Sequence, residues 1–244
     1  IMLNFEHLIA PVSVNDFFSL YWEKKPLYLT QRSPDIYFSL FSMRHLELLF
    51  QRVQFDALDN FVLIKEGQPY PNSILTPENK VNRASLSKAY QEGYTLILNK
   101  MARYSLELQT LFAHLQDVFQ HQVNANMYLS PREIQGLLPH FDRHNVLVLQ
   151  IQGKKKWKVY PPISVMPYVE KKLLVPMILP REELPEPNLE IQLIPGDLLY
   201  IPQGIFHEAI STQEDFSLHL SIGIHQVPWK EVLTRMLFHS YQKL

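Results

Sequence analysis

The sequence predicts an α+β chain that is mainly β, an antiparallel barrel or jelly roll in its second half flanked by helices at both ends. Five of its 7 glycines lie between Gly136 and Gly223, so the residues that permit tight turns are concentrated there. From Asn124 onward, short apolar runs are separated by Gly and Pro turns with no strand–helix alternation, which favours antiparallel over parallel sheet. Before that point the apolar residues fall mostly at helical spacing.

Composition narrows the classes of function. Hydrophobic residues make up 46% and charged residues 19% of the chain, enough apolar material for a packed core. A length of 244 residues fits one large domain or two small ones. We assign 1–122 to a helical and mixed part that packs on the barrel, 123–226 to the barrel core, and 227–244 to the start of a C-terminal helical region. A net charge of −1 argues against a surface tuned as a whole to nucleic acid, and no direct nucleic-acid binding is expected. No apolar run approaches the roughly 18 residues that span a bilayer. No basic-then-apolar leader opens the chain, so a cytoplasmic location is the default expectation. The chain starts at Ile1-Met2 and stops on an amphipathic run, as a piece of a longer polypeptide does. The absence of cysteine rules out disulfides, thiolate metal sites and cysteine nucleophiles, so any metal must be held by nitrogen and oxygen.

In chain order, Ser13 caps a helix that runs to Trp22 and ends before Pro26. Tyr28-Leu29-Thr30 reads as a strand, and Ser42 starts a helix with Leu46, Leu48, Leu49 and Phe50 as its apolar face. Phe61 to Lys65 is strand-like and Asn72 to Asn82 a loop, before a helix near Ser85 to Gln91. Thr95 to Leu98 is a strand. Leu106, Leu108, Leu111, Phe112, Leu115, Val118 and Phe119 then mark a longer helix, whose His114 and His121 read as surface or packing residues. Strands follow at Asn124 to Leu129, Asn145 to Gln152 and Trp157 to Tyr160. The proline- and charge-rich stretch from Ser164 to Glu190 is a long excursion. Ile191 to Ile194, Leu198 to Ile201, Phe206 to Ile210 and Phe216 to Ile224 complete the strands. Trp229 to Leu244 is helical, with Val232, Leu233, Met236 and Leu237 on one face.

Chemistry centres on Pro139-His140-Phe141-Asp142. In an extended segment His140 and Asp142 share a face, because side chains repeat every two residues. With His207 on a neighbouring strand they form a two-histidine, one-carboxylate facial triad, which leaves open positions on an Fe(II) ion. The turn Pro195-Gly196-Asp197, an apolar strand and Pro202-x-Gly204-x-x-His207 supply the hairpin that faces His207 inward. His144 shares the parity of His140, and either competes as a ligand or lines the substrate cleft. Asp142 is preferred as ligand, since His144 lies about 6–7 Å further along the strand.

Together with Asn126-Met127-Tyr128, Gly136, Leu149-Gln150-x-x-Gly153-Lys154-Lys155 and Trp157 to Tyr160, this run resembles the Jumonji-C/cupin-type oxygenases. It is most similar to the ribosomal oxygenases, which hydroxylate protein side chains; Trp22 to Leu27 also resembles the entry segment of that group. The resemblance spans most of residues 20–225. It implies a double-stranded β-helix in which His140, Asp142 and His207 hold Fe(II) and Lys155 binds the distal carboxylate of 2-oxoglutarate. Physically, a buried dicarboxylate needs a cation to offset its desolvation. Lys154, Lys156 and Lys158 read instead as a solvated turn and outer strand face. The family places an amide at Asn126 for the cosubstrate, and Tyr128 faces the same way. His219 and Ser221, on the last strand with matching parity, serve either as further cosubstrate contacts or as ordinary polar residues of the barrel interior.

The resemblance also implies the reaction: 2-oxoglutarate and O2 are consumed, succinate and CO2 leave, and a C–H bond is hydroxylated. The expected substrate is a histidine, arginine or asparagine side chain of another protein, such as a ribosomal protein. Relatives dimerise through a helical region after the barrel, so a homodimer is expected. The alternatives are a small-molecule 2-oxoglutarate hydroxylase and, from another class, a cupin that binds a metal or ligand without turnover.

Overall fold

The computed structural model describes residues 3–56, 61–162 and 177–226, with 233, 234 and 236. Its strands are β1 (Leu27–Leu29), β2 (Phe61–Lys65), β3 (Gln68–Pro69), β4 (Thr95–Leu98), β5 (Gln122–Ser130), β6 (His140–Phe141) and β7 (Asn145–Gly153). They continue with β8 (Lys155–Val159), β9 (Met177–Ile178), β10 (Leu189–Leu193), β11 (Leu198–Ile201), β12 (His207–Ser211) and β13 (Ser217–His225). One sheet runs β1-β11-β7-β13-β5-β4-β2-β3 and the other β10-β8-β12-β6-β9. All of these pairings are antiparallel, and the two sheets face each other as a jelly roll.

The helices are α1 (Phe5–Ile9), α2 (Val14–Asp16), α3 (Met43–Arg52), α4 (Arg83–Gln91) and α5 (Leu106–Phe119), with α2 continued by a π turn over Phe17–Tyr21. Ser13, Ser42, Asn82 and Ser105 each accept a backbone N–H at a helix start, satisfying donors that the first turn leaves unpaired. The helices cover the outer face of the large sheet. Leu218, Leu220, Ile222 and Ile224 of β13 pack there with Leu108, Leu111, Phe112 and Leu115 of α5 in one continuous core. Alternate residues of the same strands face the opposite way, toward the small sheet, where Val146, Val148, Trp157, Val159, Leu193 and Leu199 form a second core.

Strands from the first 122 residues are continuous with the barrel sheet: β1 pairs with β11 at one edge, and β4, β2 and β3 extend the other. The entry segment is tied down as well. Trp22 stacks on Tyr200, whose hydroxyl accepts from Glu23 N (3.0 Å) and donates to Asn145 Oδ1 (2.7 Å).

Two features differ from the sequence reading. Lys155 is the first residue of β8 rather than part of a turn. The reversal is completed at Gly153, at φ +67°, where a Cβ would lie 1.7 Å from Phe216 O; only glycine fits, and the strand resumes two residues sooner than its apolar pattern begins. Helix α1 and the two-residue strands β3 and β6 are too short for periodicity to register. The helix expected over Trp229 to Leu244 falls almost wholly outside the described residues, as does the excursion between 163 and 176. Among the described residues no helix is long and apolar enough to cross a membrane.

Candidate active site

A cavity of about 430 Å³ opens between the two sheets, and His140, Asp142, His207, Lys155, Asn126, Tyr128, His219 and Ser221 all line it. Residues from β4, β5, β7 and β13 form one wall and those from β8 and β12 the other, each strand giving alternate side chains.

His140 on β6 and His207 on β12 are direct register partners, so the antiparallel pairing itself sets the two imidazoles side by side, ring centroids 4.5 Å apart. Asp142 follows β6, and its backbone carbonyl accepts from Gly204 N (2.9 Å), which ties one ligand-bearing hairpin to the turn of the other. His207 Nε2 lies 3.6 Å from Asp142 Oδ2. One donor atom from each of the three residues can be chosen with all separations within 4.8 Å, the only such group of three or more metal-binding side chains among the described residues.

The same local device sets both tautomers. His140 Nδ1 donates to Leu138 O (2.8 Å), and His207 Nδ1 to Ile205 O (3.0 Å). A carbonyl only accepts, so each Nδ1 carries the proton and each Nε2 presents a lone pair to the centre. Burial, reinforced by the neighbouring His140, pushes His207 down to about 4, so it stays neutral. Burial alone would raise the Asp142 carboxyl, but the imidazoles of His207 and His140 carry it net below its ordinary value. Two imidazoles with their Nε2 lone pairs turned to the centre and a carboxylate fit a divalent iron centre. His144 is outside this triad; it lines the cavity and stands against His225.

Lys155 is 4% exposed and donates to Ser130 Oγ (3.0 Å), which also accepts from Thr95 Oγ1 (3.1 Å). Burial pushes the ammonium down to about 7. No carboxylate offsets it among the described residues, so the deep end of the cavity calls for an anion. His219, held well below its ordinary value by burial and by Lys155, stacks on Tyr128 at 4.8 Å and meets the edge of Trp157. Its Nδ1 is buried with no partner, an available contact for a bound group. Ser221 and Asn126 are register partners one step nearer the mouth; Asn126 Oδ1 accepts from Lys100 N (3.3 Å).

Sequence reasoning missed two supports. Gln150 donates from its side-chain nitrogen to Ser217 Oγ and to backbone carbonyls at Gln152 and Gly153, beside the bulge where β13 shifts register on β7. Glu208, next to ligand His207 but on the outer face, accepts from Tyr160 Oη (2.6 Å), Gln135 Nε2 (2.8 Å) and Arg181. A charged residue directly beside a predicted ligand, in an otherwise apolar strand, is the signal that could have found it.

The JmjC domain family matches residues 104–232, which contain the triad, Lys155 and the other cavity residues named from sequence. The bifunctional lysine-specific demethylase and histidyl-hydroxylase NO66 of Aedes aegypti is 31% identical over 97% of this chain and 37% of its own length. That of Dictyostelium discoideum is 30% identical over 94% of this chain and 44% of its own. The chain thus spans less than half of these relatives. Among solved structures, E. coli ycfD superposes with TM-score 0.65 at 17% identity, covering 95% of this chain and 58% of that one. The same fold recurs in Escherichia coli YcfD, a ribosomal oxygenase, in complex with cobalt and 2-oxoglutarate (TM-score 0.59, 18% identity, 96% of this chain and 57% of that one). With the family match covering more than half of its length and a two-histidine, one-carboxylate set seated in a jelly roll, this chain belongs to the JmjC domain family.

Proposed function

We propose that this chain is an Fe(II)- and 2-oxoglutarate-dependent oxygenase that hydroxylates a side chain of another protein. One observation carries the reading: the cavity that holds the triad ends in a buried lysine with no anion beside it among the described residues. A metal-binding cupin without turnover has no use for that cation. A cosubstrate with a carboxylate at each end satisfies both groups at once.

Fe(II) held by His140, Asp142 and His207 would supply the oxidative chemistry, coupling decarboxylation of 2-oxoglutarate by O2 to insertion of an oxygen atom into a substrate C–H bond. The protein's own work is binding and placement. Lys155 offsets the distal carboxylate, and Ser130 holds the ammonium at the deep end. Tyr128 and His219 form a flat wall beside that path, and the free Nδ1 of His219 offers it a further contact. Val146, Val148 and Trp157 keep water from the reacting end. Ser221 and Asn126 stand one step toward the mouth and serve either the cosubstrate or the entering side chain.

For the substrate, the NO66 relatives carry histidyl-hydroxylase in their name and YcfD is a ribosomal oxygenase. We propose as substrate a histidine, arginine or asparagine side chain, including one on a ribosomal protein, and these names support histidine among the three. The test is succinate formation from 2-oxoglutarate with Fe(II) and O2, comparing the protein with His140→Ala and Lys155→Ala. Turnover that both variants lose supports the reading, and absence of Fe(II) binding and of succinate in the unmodified chain sinks it. Mass spectrometry of ribosomal proteins for a gain of one oxygen then names the target.

A further inference from the structure

Two cavity histidines take no part in the triad. His144 lies two residues beyond Asp142, and His225 is the last residue of β13; their ring centroids are 4.2 Å apart with the planes inclined by 32°. The triad's own imidazoles stand 4.5 Å apart, so the two ring pairs are spaced alike. Both rings are partly exposed, and both line the cavity.

Gly223 lies beneath them. A Cβ there would fall 2.7 Å from His144 Cδ2, 2.8 Å from His144 Nε2 and 3.0 Å from His225 Nε2, so only glycine lets both rings pack on the backbone with their Nε2 atoms close to one point. Gly223 has no positive φ, and glycine is needed there for space rather than for backbone conformation.

We infer that His144 and His225 form a second metal site, taking one borderline divalent cation, Zn²⁺, Cu²⁺ or Ni²⁺, through their Nε2 atoms. Imidazole nitrogen suits these ions, whereas Mg²⁺ and Ca²⁺ need oxygen. Two protein ligands leave the remaining positions to water or to a donor on whatever enters the mouth. A cation seated there narrows the approach to the triad.

The test is equilibrium dialysis of the metal-free full chain against Zn²⁺, with metal counted by atomic emission. The chain is expected to take two equivalents. His144→Phe with His225→Phe keeps two stacked rings but removes the donors, and is expected to take one. His140→Ala with His207→Ala is also expected to take one, held by the mouth pair. A single equivalent in the unmodified chain, or a second equivalent that survives the phenylalanine pair, overturns the inference. Two equivalents that survive loss of the triad histidines instead count against the triad as a metal centre, which separates the two readings. Circular dichroism of each variant confirms that the fold is intact.

Discussion

At its deep end the cavity holds one ammonium, that of Lys155, sealed behind Ser130 and the stacked rings of Tyr128 and His219. At its mouth it holds two imidazoles, Asn99, Asn124 and, among the described residues, one cation, Lys100, on the exposed rim. The same strands build both ends: along β13 the wall residues run His219, Ser221, Gly223, His225, from nearly fully buried to partly exposed. A fixed, desolvated charge suits a ligand that is small, invariant and doubly negative. Neutral hydrogen-bonding groups suit an entering partner whose chemistry is less strictly defined. The triad lies between the two and belongs to both.

The largest effect is expected where the ends meet. His140→Ala should lower 2-oxoglutarate turnover by at least about 100-fold, because groups that merely support metal ligands are already worth ~10–100-fold; succinate release and Fe(II) retention on dialysis check it. At the deep end, Lys155→Met should weaken 2-oxoglutarate binding by about 100-fold or more, since removing one partner of a buried ion pair costs ~3–5 kcal/mol. The same variant should leave the cosubstrate-free protein as stable or more so, because it removes an uncompensated buried cation. Calorimetric titration and thermal melting together read these opposite signs, and parallel losses would show that Lys155 is structural.

A pH dependence sharpens the same contrast. With the folded-state value of Lys155 near 7 and its ordinary value at 10.5, the unfolded chain binds more protons between those limits. Stability of the cosubstrate-free protein should therefore rise with pH from about 7 toward 10.5. Thermal melts across that window check this, and the Lys155→Met variant should lack that component of the rise. Above neutrality 2-oxoglutarate binding should also take up a proton, visible as a buffer-dependent enthalpy.

Smaller effects are expected outside the cavity. Arg181→Ala leaves buried Glu208 to Tyr160 and Gln135; with Arg181 58% exposed, a loss of about 1–2 kcal/mol is expected rather than the full cost of a buried pair, read as a lowered Tm. Lys158→Ala, at an exposed pair with Glu190, should leave 2-oxoglutarate affinity within about twofold. Together with Lys155→Met it would show that direction along β8, rather than lysine content, defines the anion site.

The parts of this site legible in the sequence are those governed by local rules. Two-residue parity places His140 with Asp142, and turn residues deliver His207 on its hairpin. Resemblance supplied Lys155. The direct register of His140 against His207 was not legible, because strand pairing at a separation of 67 residues leaves no trace in local periodicity. The same holds for β1, which joins the barrel sheet through β11, far along the chain. The pairing of His144 with His225 needs both that register and the missing side chain at Gly223. The helix starts at Ser13 and Ser42 were legible, since a cap is a contact between residues three apart, whereas the caps Asn82 and Ser105 were not read.

The alternation along β13 sets how this chain tolerates change. Its odd positions face the cavity and its even positions, Leu218, Leu220, Ile222 and Ile224, face the helices. Substitution at one position alters one function at a time, whereas inserting or deleting a single residue would exchange the two faces at once, pressing His219 and Ser221 into the oily layer and turning leucines toward the metal. Variation in this strand is thus confined to letters and closed to length, and a scan of single-codon deletions should find β13 among the least forgiving segments of the chain.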